Sequence, residues 1–201
     1  MTLRETAMLH FAQIYTGQPF TGTQVERELI MMMLTNSQGS VGLEEALCGI
    51  LNLKQTVSKH GFDAIDTATN VRYELKPTMQ HKPTARYNDV TPKKIHEMNG
   101  CNNIVVFETH CQGQMIFLAK VDGKHVATLL QEKFIARQKS IEADKGKGKG
   151  TRQSHGIYLN EIVERFGKNS VDVVYYVPNN KFHSKTKQLL ELKHAVNRIS
   201  A

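Results

Sequence analysis

Three ionisable side chains in Gly61-Phe62-Asp63-Ala64-Ile65-Asp66-Thr67-Ala68-Thr69-Asn70-Val71-Arg72-Tyr73-Glu74-Leu75-Lys76 have the types and spacing for chemistry at a phosphodiester. Phe62 to Asp66 and Val71 to Pro77 carry β-branched and aromatic residues at strand density, and the polar Thr67 to Asn70 between them suits a hairpin connection. Symmetric pairing about that turn sets Asp63 opposite Glu74. Strand alternation then puts Ile65, Thr67, Arg72 and Lys76 on their face and Asp66, Val71, Tyr73 and Leu75 on the other. Two facing carboxylates repel unless something positive lies between them. Mg²⁺ meets that need, because it prefers oxygen ligands, keeps several waters and takes only one or two carboxylates. Such an ion stabilises charge on phosphoryl oxygens and lowers the pKa of a bound water. An ammonium two residues from Glu74, on the same face, can orient that water or neutralise the transition state. Alternating charges on an exposed hairpin also form weak solvated pairs, which is the simpler use of the same residues.

In this pattern the chain resembles the PD-(D/E)xK nuclease superfamily, which includes the type II restriction endonucleases. Asp63 stands for the first acid and Glu74-Leu75-Lys76 for the ExK element, within a resemblance covering residues 43–121. The first acid often follows Pro in that superfamily, whereas Phe62 precedes it here. The resemblance implies a metal-dependent DNA endonuclease in which Asp63, Glu74 and the Leu75 carbonyl hold Mg²⁺, with Mn²⁺ as a substitute, and Lys76 positions the attacking water. Some relatives place a helical Glu near the metal, upstream of the hairpin, and Glu26 is the candidate for that role. The implied fold is α/β, a restriction-endonuclease-like core with a central mixed β-sheet flanked by helices. Alternatives are a non-catalytic DNA-binding module on the same fold and a junction or repair nuclease. Cutting two antiparallel strands with one small domain points to a homodimer.

The elements that must position these residues follow from capping and periodicity. Thr2 with Glu5 and Thr23 with Glu26 form capping boxes for helices reaching Tyr15 and Leu34. A third helix is expected from Leu43 to Lys59, with Leu43, Leu47, Ile50, Leu51 and Val57 on one stripe and Gly61 as the stop. Pro77 to Val90 reads as a loop, Thr91-Pro92 opens a helix to Met98, and Asn103 to Thr109 pairs with Gln114 to Val121 around Gln112-Gly113. Lys124 to Ile141 reads as helix, Val171 to Val177 as a strand buried on both faces, and Ser184 as the cap of a last helix to Ile199. The chain divides as a single domain, 1–201. Within it lie an N-terminal helical region (1–40), the catalytic core (43–121), a flexible basic loop (145–155) and a C-terminal strand and helix (156–201).

Charge is divided unevenly. Residues 1–76 hold six Lys or Arg against eight acids, a balance of −2, and residues 77–201 hold twenty against eleven, a balance of +9. That asymmetry suits a polyanion held by one half and cut by the other. Candidate DNA contacts are Arg86 and Asn88, just past the ExK lysine, and Lys145, Lys147 and Lys149 of the Lys-Gly run. Arg152 and Gln153 follow, suited to guanine and adenine edges. Glu44 and Glu45 suit the positive end of a helix dipole and read as structural. Cys48, Cys101 and Cys111 have no disulfide or zinc-knuckle spacing, and consecutive His110 and Cys111 point to opposite faces of a strand. Nor do His96, His155 and His183 show metal-finger spacing. The longest apolar run, Leu29 to Leu34, is too short to span a bilayer, so a cytoplasmic location without membrane attachment is expected.

Overall fold

The computed structural model describes residues 3–36, 41–56, 62–78, 81–100, 102–111, 113–143, 153–178 and 181–199. Helices α1 (Leu3–Thr16), α2 (Gln24–Asn36) and α3 (Val41–Ile50) come first. Strands β1 (Lys54–Gln55), β2 (Ala64–Ile65), β3 (Arg72–Thr78) and β4 (Thr84–Tyr87) follow, then α4 (Pro92–Met98). Next come β5 (Asn103–Cys111), β6 (Gln114–Asp122), α5 (Gly123–Ala143), β7 (His155–Tyr158) and α6 (Leu159–Phe166). A 3₁₀ turn (Lys168–Ser170), β8 (Val171–Tyr176), α7 (Ser184–Leu189) and β9 (Val196–Asn197) complete the chain. The fold is α/β: a seven-stranded mixed sheet in the order β1-β2-β3-β5-β6-β8-β9, with β3 and β5 parallel and the other pairs antiparallel. Among the described residues no helix is long and apolar enough to cross a membrane.

Each face of the sheet has its own core. Tyr73, Leu75, Val106 and Leu118 pack against Phe11, Tyr15, Leu43 and Leu47 of α1 and α3. Val105, Phe107, Ala119 and Val121 pack against α4, α5 and α6 and a separate two-stranded ribbon, β4 with β7. Alternation along β3 therefore serves both sides. Leu75, with no exposed surface, anchors it to the α1/α3 core, while Glu74 and Lys76 project the other way. Burying one such leucine contributes roughly 1.5–3 kcal/mol.

The hairpin register is as expected from the sequence: Ala64 pairs with Tyr73 and Ile65 with Arg72, which brings Asp63 opposite Glu74. Asp66 closes the turn, its Oδ1 accepting from the Ala68 and Thr69 N–H groups. Asn70 takes the left-handed conformation there (φ 58°), which asparagine tolerates better than most residues. The Thr23–Glu26 capping box and the Thr91 N-cap with Pro92 behind it are formed. Thr2, Val57, Lys59, Gly61, Cys101 and Gln112 lie outside the described residues.

Six expectations are corrected. The third helix ends at Ile50, not Lys59. Asn52 adopts φ 53° while its N–H reaches the Gly49 carbonyl and that of Leu53 the Cys48 carbonyl, a Schellman closure that frees Lys54-Gln55 to pair as β1. The segment 77–90 is not a plain loop. β3 continues through Pro77, beyond the reach of β2 where its edge tolerates a missing N–H, and β4 finds its partner β7 about seventy residues on. The last helix stops at Leu189, Glu191 turns into the left-handed region (φ 53°), and the chain returns as β9 against β8. His183, rather than Ser184, caps that helix, its Nδ1 accepting from Thr186 N–H. Finally, β8 is not buried along its whole length, since Asp172 is exposed and pairs with Arg198, and the 156–201 segment contains the additional helix α6.

Candidate active site

β3 and the residue before β2 build the site. Lys76 Nζ lies 2.6 Å from Glu74 Oε1 and 3.8 Å from Asp63 Oδ2. The ladder between β2 and β3 gives way at Asp63, whose N–H donates to the Tyr73 carbonyl at 3.0 Å. Its Oδ2 accepts from Leu75 N–H at 2.7 Å, so a backbone donor fixes the carboxylate beside Lys76. Glu74 is buried and Lys76 mostly so. Beneath the ammonium lies the ring of Tyr87 from β4, its centroid 5.3 Å from Nζ.

Burial pushes the Asp63 carboxyl up from an ordinary 3.8 to about 6. Lys76 opposes that rise, Glu74 adds to it, Leu75 N–H opposes it, and Glu44 adds again. Burial by itself would lower the Lys76 ammonium, but Glu74 and Asp63 outweigh it and hold the group above its ordinary value. Lys76 therefore remains a cation throughout the neutral range. Two acids and one lysine share a part-buried space in which burial opposes the charged form of Asp63.

A cleft of about 180 Å³ opens beside Lys76, lined by Glu44, Leu75, Lys76, Pro77, Thr78, Thr84 and Arg86. Leu75 sends its side chain into the opposite core, so what it presents to the cleft is backbone. Among the described residues no three His, Cys, Asp or Glu side chains are gathered closely enough to hold a metal alone. The donors available are instead the carboxylates of Asp63 and Glu74 and the Leu75 backbone, hard oxygen donors of the kind a hydrated Mg²⁺ accepts. Burial is the largest cause of the raised Asp63 carboxyl, with Glu74 and Glu44 adding to it.

The other candidate residues are placed differently. Glu26 is exposed and occupied in its capping box, with its Oε2 2.7 Å from both Thr23 N and Oγ1, and His10 Nδ1 lies 3.7 Å from Oε1. Glu44, read as structural from the sequence, lines the cleft with Lys76; its place in the first turn of α3 was legible, its direction was not. Arg86 is exposed at the cleft, Asn88 is exposed in the turn after β4, and Tyr87 is buried under Lys76 and not open to a stacking partner. Gln153 Oε1 lies 3.1 Å from His155 Nε2, and its carbonyl accepts from Val90 N–H. Lys145, Lys147, Lys149 and Arg152 lie outside the described residues.

No protein-family model matches the chain, and no curated protein is significantly similar to it in sequence. What the chain does is therefore inferred from the geometry of the site.

Proposed function

We propose that this chain is a metal-dependent DNA endonuclease of the PD-(D/E)xK kind, hydrolysing phosphodiester bonds at Asp63, Glu74 and Lys76. The observation that carries the reading is the convergence of these three side chains, Nζ within 2.6 Å of one acid and 3.8 Å of the other, with Lys76 lining a cleft that also holds Arg86. The hairpin leading into a parallel β3–β5 pair, with helices on both faces, supports a restriction-endonuclease-like core.

Asp63, Glu74 and the Leu75 carbonyl would hold Mg²⁺ or Mn²⁺, with Glu44 near enough to influence both Asp63 and Lys76. When bound, the ion supplies charge neutralisation at the phosphoryl oxygens and a water of lowered pKa. Lys76, held protonated by its acids, acts as a hydrogen-bond donor and fixed positive charge toward the attacking water and the developing pentavalent phosphorus. It is not a general base near neutrality. Leu75 N–H holds Asp63 in one rotamer, so the oxygen donors are aimed before substrate arrives. Duplex cleavage by so small a domain calls for a two-fold pair of chains.

Genome-length DNA incubated with the purified protein tests this. Cleavage is expected with Mg²⁺ or Mn²⁺ and none with chelator, while Ca²⁺ supports binding without efficient cutting. Intact DNA under every metal condition would defeat the reading.

A further inference from the structure

Resting on that reading, the β4–β7 ribbon offers more than a support for Lys76. Its register pairs Thr84 with Tyr158, Ala85 with Ile157, Arg86 with Gly156 and Tyr87 with His155. Ala85, Tyr87 and Ile157 enter the core. Alternation therefore turns Thr84, Arg86, Gly156 and Tyr158 to the other, outer face, where Thr84 is buried, Gly156 and Tyr158 are half-buried and Arg86 is exposed. Thr84 and Arg86 also line the cleft with Lys76, so this face begins at the ammonium and runs away from it along the ribbon.

Cations collect on that face. Arg86 is exposed, and neither it nor Lys82 is paired with a carboxylate among the described residues. Lys82 Nζ sits 3.6 Å from the centroid of the Tyr158 ring, and Lys133, from α5, lies 5.7 Å from the same ring. Lys133 is held in place by the Gly156 carbonyl at 2.9 Å and by Glu161 at 2.8 Å, the one acid among the described residues that pairs with these three cations. Gly156 stands directly opposite Arg86. A Cβ there would meet only Thr84 Cγ2, at an ordinary 3.6 Å, so the fold does not require glycine and the bare backbone leaves an open approach.

We propose that this outer face is a track for the sugar-phosphate backbone of the nucleic acid beyond the scissile phosphate, with Arg86 and Lys82 as its phosphate contacts and Lys133, neutralised by Glu161, bracing the Tyr158 ring from α5. A linear polyanion matches cations set out along an extended ribbon, whereas a compact anion would need them focused on one point. Tyr158 serves to hold ammonium groups against its ring rather than to stack a base. Recognition here reads charge and not sequence.

The test is a salt titration of binding to fluorescein-labelled DNA duplexes of several sequences, with Ca²⁺ present, followed by anisotropy. The double variant Lys82→Gln/Arg86→Gln should bind every duplex more weakly and flatten the log–log salt slope by about 1.8, roughly 0.9 for each lost phosphate contact. Lys82→Arg should restore the wild-type slope at its position, and Lys168→Gln, whose ammonium is already paired with Glu191, should leave it unchanged. Thermal midpoints of all variants verify folding. An unaltered slope, or a loss confined to one duplex sequence, overturns the track; if the wild type still cleaves genome-length DNA, the nuclease reading survives that result. A wild type that neither binds duplex nor cleaves DNA overturns both.

Discussion

Replacing Asp63 by Asn should make the metal-free protein more stable, although it removes a proposed metal ligand. The carboxyl is raised from 3.8 to about 6 in the folded chain, so the fold opposes its charged form. At 1.36 kcal/mol per pK unit, that opposition amounts to about 3 kcal/mol at pH values above both figures. Asparagine keeps the shape and an oxygen to accept the Leu75 N–H without carrying charge, so it should recover about 1–3 kcal/mol. For a chain of this length each kcal/mol moves the thermal midpoint by about 2–4 °C, which makes the expected gain about 2–12 °C. The sign with pH follows from linkage. Between about pH 4 and pH 6 the folded state binds more protons than the unfolded, so wild-type stability falls as pH rises through that window. Below it Asp63 is protonated in both states and the advantage of Asn disappears. Thermal unfolding of both proteins in chelator, at about pH 7.5 and again near pH 3.5, measures it. A variant less stable than wild type at pH 7.5, or a difference of equal size at both pH values, would refute the reasoning. Saturating Mg²⁺ should narrow or reverse the gap, since only the wild type keeps both ligands.

The same carboxyl makes metal affinity pH-dependent: Mg²⁺ binding, followed by calorimetry, should weaken about tenfold per pH unit below about pH 6 as a proton competes for Asp63. Asp66→Asn should retain cleavage within about tenfold, because Asp66 caps the hairpin turn and lies away from Lys76; a dead variant would place the metal on the other face of the hairpin. His110→Ala should destabilise the fold by about 1–3 kcal/mol in chemical denaturation, since His110 Nδ1 lies 3.2 Å from Glu108 Oε2 and its loss takes a hydrogen-bond partner from a carboxyl with no exposed surface.

The hairpin that carries Asp63, Glu74 and Lys76 was legible because its information is local: strand-forming residues flank a four-residue polar turn, and a period of two assigns each side chain a face. The register that brings Asp63 to Glu74 needed nothing from the rest of the chain. Long-range partners were not legible. β4 is four residues hemmed by Pro83 and the turn at Asn88, and nothing in it names His155–Tyr158 as its mate. The short strand β1 was hidden by an apolar stripe that suits a longer helix, although Asn52 carried the stop signal. Glu26 was singled out for its place in a helix before the hairpin, yet Glu44 is the upstream helical acid that lines the cleft. Choosing between them required knowing how α2 and α3 lie against the sheet, which periodicity within one helix does not contain. The polar group at Glu108, His110 and Tyr15 was invisible for a similar reason, since it joins α1 to β5 and to Thr78 N–H at the end of β3.

The most direct measurement of the central claim is the single-turnover rate of DNA cleavage in Mg²⁺ by wild type, Glu74→Ala and Lys76→Ala, with each variant shown to be folded and to bind duplex in Ca²⁺. The geometry predicts cleavage by the wild type, a loss of at least about 10²–10³-fold for Lys76→Ala, and no detectable cutting by Glu74→Ala. Cleavage by both variants at the wild-type rate would contradict the assignment of phosphodiester hydrolysis to this hairpin.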